Sequence, residues 1–389
     1  MKQSIKRALG WLSLPPAAKA EQRRDAAGLP ALDPGTEQVL PALMAWLGHA
    51  QDQSASHDGG VARDYSLIKG WATSYPETTG YIIPTLLAYA RRSGQVEWRD
   101  RALRMADWLV SIQFADGGFQ GGKIDSTPVV PVTFNTGQIL LGLAAAQAET
   151  GRYLEPMRRA ADWLARSQDA DGCWRQHTSP FADVRDKQYE THVAWGLFEA
   201  ERIDATRGYG DAGLKNVRWA LSLMAPNGWL PHCCLSDPRH PLTHTLGYAL
   251  RGLIEAHRLR PDAEFLKRAE LTAKGLLGAL RGDGFLPGRL SADWSGAQPW
   301  ACLTGTAQVA HCWLLLYQLT GQASYLEAGR RANAYVRRTV RLDGPAAQRG
   351  GVKGSFPIDA PYGRYEYLSW APKFAADSLM LESDIRPAS

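Results

Sequence analysis

The chain has 389 residues, of which 45% are hydrophobic and 21% are charged, and its formal net charge is +5. This composition is ordinary for a globular protein, and its apolar runs are shorter than the roughly 18 residues that a membrane span needs. The basic residues are spread along the chain, which argues against a nucleic-acid-binding protein. A mildly basic surface still suits an acidic substrate.

The first 34 residues form a basic extension that contains two adjacent prolines. Its apolar stretch follows basic residues, as in a secretory signal, but it is short and is interrupted by Gly10, Ser13, Pro15 and Pro16. We therefore predict a cytoplasmic protein rather than a secreted or periplasmic one. Residues 35–389 are predicted to form a single domain.

Residues 36–383 repeat a helical unit about every 55 to 60 residues. Outer, amphipathic helices are predicted to begin near residues 36, 98, 153, 211, 263 and 324. Inner helices, apolar nearly all round, are predicted near residues 77, 135, 190, 244, 304 and 372. Small residues recur at their starts: Gly80, Gly137, Thr191, Gly247 and Gly305. Six antiparallel pairs predict an all-α fold, the (α/α)6 toroid, with an inner and an outer ring.

Six long connections lead from an outer helix to the next inner helix, over residues 52–76, 114–133, 169–188, 225–243, 281–301 and 341–371. All six must emerge at the end of the barrel where the inner helices begin. Long loops on a rigid scaffold often carry function, and helix N-termini favour anionic groups. The functional site is therefore predicted at this end.

Residues 106–119 and 161–174 share Ala-Asp-Trp-Leu, then a glutamine, then Asp-Gly and an aromatic residue. This pattern resembles the Gln–Trp repeat of squalene and terpene cyclases and of prenyltransferase β subunits, where it joins neighbouring helical hairpins. The reactions of those families are not implied. The chain lacks their Asp-rich motifs, and Asp125-Ser126-Thr127 stands where the prenyltransferase zinc site needs Asp-x-Cys. An isoprenoid-binding protein remains one alternative.

Residues 74–81 and 240–245 resemble features of toroid proteins from bacterial exopolysaccharide gene clusters, and most of the chain is similar to (α/α)6 carbohydrate-active enzymes. The resemblance implies an enzyme acting on an exopolysaccharide or oligosaccharide, and association with polysaccharide-synthesis machinery is a further expectation. No cofactor is predicted. No metal is predicted either, because His232, Cys233, Cys234, His240 and His244 match no standard zinc spacing.

Four residues near inner-helix starts are predicted to be catalytic: Glu77, Glu190, His192 and His244. In a glycoside hydrolase, the preferred function, Glu77 and Glu190 form the carboxylate pair. One protonates the leaving oxygen, and the other activates water or attacks. For Glu77 the alternative is a first-turn charge that stabilises its helix, and for His244 it is a structural hydrogen bond.

Other functions stay open. A polysaccharide lyase or uronate C5-epimerase would use His192, His244 or Tyr365 as base, with Arg63 or Asn135 neutralising a carboxylate. A non-catalytic glycan-binding or scaffold protein is the third class. Substrate-binding residues are predicted among polar and aromatic groups of the loops and helix starts: Arg63, Asp64, Tyr65, Tyr81, Asn135, Gln138, Trp300, Tyr362, Tyr365, Glu366, Trp370 and Lys373. Asp64 and Glu366 are also substitute catalytic carboxylates.

Overall fold

The structure, a computed structural model, describes residues 11–182 and 186–385. After a first helix α1 (Pro16–Ala26), the outer helices are α2 (Thr36–Asp52), α4 (Val96–Ser111), α6 (Leu154–Ser167), α8 (Tyr209–Ser222), α10 (Ala263–Ala279) and α12 (Ala323–Thr339). The inner helices are α3 (Pro76–Ser93), α5 (Thr133–Thr150), α7 (Thr191–Ile203), α9 (Thr243–Leu259), α11 (Leu303–Thr320) and α13 (Trp370–Asp384). The predicted all-α toroid is confirmed.

The inner helices form a closed ring in the described part of the chain. Each packs on the next in sequence order, and α13 returns to α3, while each inner helix also packs against an outer helix. Close approach depends on small residues: a Cβ at Gly80 would lie 2.5 Å from the Cα of Ile139 on α5. The recurring glycines therefore allow the inner helices to pack closely.

The Gln–Trp pattern joins neighbouring hairpins, as its resemblance implied. The Nε2 of Gln113, just after α4, donates to the carbonyl of Pro156 on α6 over 3.0 Å. The Nε2 of Gln168, just after α6, donates to the carbonyl of Ala212 on α8 over 2.9 Å. Each glutamine thus ties the end of one outer helix to the start of the next.

Short strands, which the helical pattern did not predict, connect the long loops. β1 (Asp64–Ser66) pairs antiparallel with β2 (Gly70–Trp71) and with β5 (Glu366–Leu368). β3 (Ala301–Cys302) pairs with β4 (Ser355–Phe356). Segments of two or three residues are too short to show a periodic signal. The first and last long loops, which precede the neighbouring helices α3 and α13, are therefore joined to each other by strand pairing.

Helix α1 packs onto the loop that precedes α13. Buried Glu21 and Asp25 both contact the Nζ of Lys353, the former at 2.7 Å. The Oδ2 of Asp25 also accepts the backbone N–H of Ile358 over 2.7 Å. None of the helices in the described ranges is long and apolar enough to cross a membrane.

Candidate active site

A cavity of about 420 Å³ lies at the end of the barrel where the inner helices begin. Six predicted site residues line it: Arg63, Glu77, Asn135, His244, Tyr362 and Trp370. Further side chains on its wall were not predicted: Tyr75, Lys123, Phe134, Phe181, Tyr189 and Tyr248 among others. The predicted location of the site agrees with the position of this cavity.

Glu77 provides a carboxyl group on the cavity wall. Pro76 occupies the first turn of α3, where its missing N–H costs no hydrogen bond, and Glu77 follows it directly. Burial raises the pKa of Glu77 to about 7, against the lowering effects of a hydrogen bond from Tyr75 and of the charge on Arg63. Near neutral pH this group can therefore either donate or accept a proton.

Arg63 is held beside Glu77 by the loop sheet. Its Nη1 contacts the Oδ2 of Asp64 at 2.5 Å and the Oε2 of Glu366 at 3.3 Å. Its guanidinium lies 5.2 Å from the ring centroid of Trp370. Asp64 and Glu366, the substitute carboxylates, thus bind this cation and do not line the cavity.

His244 lies in the first turn of α9, and its Nδ1 is 2.6 Å from the Oε1 of Gln308. Burial lowers the pKa of His244 to about 4, so the ring is neutral at pH 7. Helices α3 and α9 are three positions apart in the ring of inner helices that the described residues form. Glu77 and His244 therefore stand on opposite sides of the cavity.

Aromatic rings fill the bore next to the cavity. The centroid of Tyr248 lies 4.4 Å from that of His244 and 4.5 Å from that of His192. Tyr248 lines the cavity, whereas His192, Gln138 and Tyr81 are buried and do not. His192 makes a hydrogen bond of 2.6 Å from its Nδ1 to Gln138.

The predicted pair of carboxylates is not brought together in this cavity. Glu190 ends a short 3-10 turn (Gln188–Glu190), is 1% exposed and leaves its Oε2 without a hydrogen-bond partner. Burial raises the pKa of Glu190 to about 8. Its neighbour Tyr189 lines the cavity instead, which leaves Glu77 facing His244.

Four more predicted residues lie away from the cavity. Tyr65 packs against the other strand of its hairpin, and Trp300 belongs to a separate apolar cluster. The hydroxyl of Tyr365 donates to a glutamine of α1 over 3.1 Å. Lys373 is paired over 2.6 Å with an aspartate one turn later.

The segment dense in histidine and cysteine is held by local contacts. Among the described residues, no three His, Cys, Asp or Glu side chains are grouped as a metal ion needs. The Nδ1 of His240 faces the Oδ2 of Asp237 at 3.1 Å, and the Sγ of Cys233 donates to the carbonyl of Thr245 over 3.1 Å.

Helical spacing contained a signal for Tyr248, which is not among the predicted site residues. Tyr248 follows His244 by four residues, so both lie on one face of α9. Tyr75 and Tyr189 lie before the α-helices, in connections whose course follows no period. Their places on the wall depend on the path of the loops.

No protein-family model and no curated protein matches the sequence. Solved structures do match. An unsaturated glucuronyl hydrolase specific for heparin has a TM-score of 0.71 and 15% identity, over 90% of this chain and 97% of that one. A sugar epimerase from a ruminal bacterium has a TM-score of 0.74 and 12% identity, over 90% and 98%. A Bacteroides thetaiotaomicron α-mannanase has a TM-score of 0.62 and 13% identity, over 90% and 95%.

These likenesses extend over nearly the whole barrel. At such low identities they show that the chain has the (α/α)6 fold of known carbohydrate-active enzymes, and they do not fix its reaction. The resemblances to exopolysaccharide-cluster proteins and to cyclases stay predictions.

Proposed function

We propose that the protein is a glycoside hydrolase that acts on a short saccharide, with Glu77 as general acid and His244 as general base. One observation carries the proposal. A carboxyl group with a pKa of about 7 and a neutral imidazole face one cavity from opposite inner helices. The second catalytic group is thus His244 rather than Glu190.

The reaction follows from this placement. Protonated Glu77 donates its proton to the glycosidic oxygen as the bond from that oxygen to the anomeric carbon breaks. Water attacks the anomeric carbon from the opposite face, and the Nε2 of His244 takes a proton from it. This arrangement gives a product of inverted configuration, and proton exchange with solvent restores both groups.

The two pKa values favour hydrolysis over proton abstraction from carbon. A base with a pKa of about 4 can assist water at an oxocarbenium-like transition state, which is already strongly electrophilic. Removing a carbon-bound proton beside a carboxylate requires a stronger base. Epimerisation is the second candidate, because of the three predicted bases only His244, with its neutral ring, reaches the cavity.

The cavity supports a short and acidic substrate. Its volume falls within the range of small-molecule sites, and rings such as Tyr75, Tyr189 and Trp370 offer flat faces for sugars. Arg63 and Lys123 both line the wall, and although each contacts a carboxylate of the protein, both can also pair with the carboxylate of a uronate. The charged groups do not suit an isoprenoid. A cytoplasmic location and association with polysaccharide-synthesis machinery remain predictions.

A panel of neutral and uronate-containing oligosaccharides, followed by NMR in H₂O and in D₂O, tests the proposal. We expect new reducing ends for an acidic oligosaccharide, with the inverted anomer appearing first and no deuterium on carbon. Deuterium at a sugar carbon without cleavage would support epimerisation instead. Binding without any turnover would support a glycan-binding protein and overturn the proposal.

A further inference from the structure

The ring of His244 is held by a glutamine from the next inner helix. Gln308 lies on α11, is 4% exposed, and places its Oε1 2.6 Å from the Nδ1 of His244. Gly247 leaves the space for this contact. A Cβ at Gly247 would come within 2.9 Å of the Cβ of Gln308 and 3.3 Å of its Oε1.

An amide oxygen can only accept a hydrogen bond. When it faces Nδ1, the single proton of a neutral imidazole must be on Nδ1, which leaves Nε2 with its lone pair. A general base needs that lone pair toward the substrate. The contact with Gln308 therefore selects the tautomer that the reaction requires.

The other groups around His244 do not provide this contact. Its ring faces Tyr248 on its own helix, Phe374 on α13 and Tyr362 on the loop before α13. The charged groups on the cavity wall are Glu77, Arg63 and Lys123. A positive charge on His244 also lowers the pKa of His192 on α7. Within the described residues, the hydrogen bond of the His244 ring is the one to Gln308.

A second pair provides a comparison inside the same barrel. The Nδ1 of His192 lies 2.6 Å from the Oε1 of Gln138, the same contact as in the first pair. The Nε2 of His192, however, is buried without a partner, and His192 does not line the cavity. The two pairs share this contact, and of the two histidines His244 lines the cavity.

We propose that Gln308 is a positioning residue, which fixes by its contact with Nδ1 the tautomer of His244 whose Nε2 accepts a proton at the cavity. Its effect on turnover rests on the proposed hydrolase function. The tautomer itself does not.

Imidazole ¹⁵N NMR of the full chain tests this inference, with His244→Gln identifying the signal among nine histidines. We expect the Nδ1–H tautomer in the wild type and a mixed or Nε2–H state in Gln308→Met. In that variant, kcat should fall roughly 10²-fold with a much smaller change in KM. Gln308→Glu should restore the Nδ1–H tautomer, because a carboxylate also accepts the Nδ1 proton. Its negative charge should raise the pKa of His244 and move the acidic limb of the pH–rate profile to higher pH.

Gln138→Met is the matched control, which should alter the signal of His192 and leave that of His244 in place. An Nε2–H tautomer in the wild type, or unchanged His244 signals in Gln308→Met, would overturn the inference. If Gln308→Met folds poorly, an unchanged pKa of His244 in Gln308→Glu would likewise overturn the inference. If the Nδ1–H tautomer is found but no glycan is turned over, the proposed hydrolase function is wrong and the role of Gln308 stands. If glycan is turned over but the tautomer is mixed, the role of Gln308 is wrong and the hydrolase function stands.

Discussion

Two buried carboxyl groups near the starts of inner helices differ in what surrounds them. Burial raises the pKa of both, to about 7 for Glu77 and to about 8 for Glu190. Glu77 lines the cavity with Tyr75 and Arg63 beside it, whereas Glu190 is enclosed with one oxygen unpaired. A shifted pKa therefore does not identify a catalytic group unless a substrate can reach it.

Local backbone accounts for the difference. Glu77 lies in the first turn of a regular helix that opens at the mouth of the barrel. Glu190 ends a 3-10 turn. A 3-10 helix has about 3 residues per turn and an α-helix about 3.6, so successive side chains point in different directions in the two. The wall position next to α7 is taken by Tyr189.

The largest expected effect is the loss of activity in Glu77→Gln. The amide keeps the volume but cannot donate the carboxyl proton, so kcat should fall about 10²–10⁴-fold. Glu190→Gln is the matched control and should stay within a few-fold of the wild type. Initial rates on the substrate found in the oligosaccharide panel measure both. Equal losses in the two variants would remove the distinction between these carboxyls.

The second-largest expected effect is a higher free energy of unfolding of Glu190→Gln at alkaline pH. Native Glu190 keeps its proton up to a pKa of about 8, whereas the unfolded chain loses it near 4.5. Between these values the native state binds more protons, so the wild-type free energy of unfolding falls as pH rises. The glutamine variant lacks this loss and should be more stable by on the order of 3 kcal/mol at pH 8.

Urea unfolding at pH 5 and at pH 8 checks this expectation. At pH 5 the difference should shrink to less than about 1 kcal/mol, because Glu190 is protonated in the native state and only part of the unfolded-state ionisation has occurred. The contribution of Glu77 has the same sign but is common to both proteins, so it cancels in the difference. A variant that is less stable than the wild type at pH 8 would mean that the carboxylate of Glu190 has a stabilising partner.

The fold was predictable from sequence because its signals are local and repeat. Apolar periodicity, glycine positions and the Gln–Trp pattern each recur in several hairpins, and packing such as that of Gly80 on α5 follows from them. The mouth of the barrel was also predictable, as were Glu77 and His244 at its rim. That Glu77 and His244 face each other across one cavity was not predictable, because it depends on the relative orientation of helices α3 and α9, which are not neighbours in the ring.

Loop residues were harder to place, since no period governs their path. Tyr365 and Tyr362 are close in sequence, yet Tyr365 bonds to α1 and Tyr362 lines the cavity. Residues 1–34 were predicted to be an extension outside the toroid domain. The contact of α1 with the loop before α13 was therefore not predicted. The short strands that bring Arg63 beside Glu366 are likewise set by long-range pairing.

The smallest expected effect is a shift of pH dependence in Arg63→Met. The charge of Arg63 lowers the pKa of Glu77, so its removal should raise that pKa above about 7. A general acid works only while protonated, and therefore the alkaline limb of kcat/KM, which reflects the free enzyme, should move upward by about one pH unit. Lys123→Met is the control, because Lys123 also lines the cavity but is paired with Asp125 over 3.3 Å, and this variant should leave the limb nearly in place. If Arg63→Met weakens substrate binding but leaves the limb unmoved, Glu77 is not the acid that limits the rate.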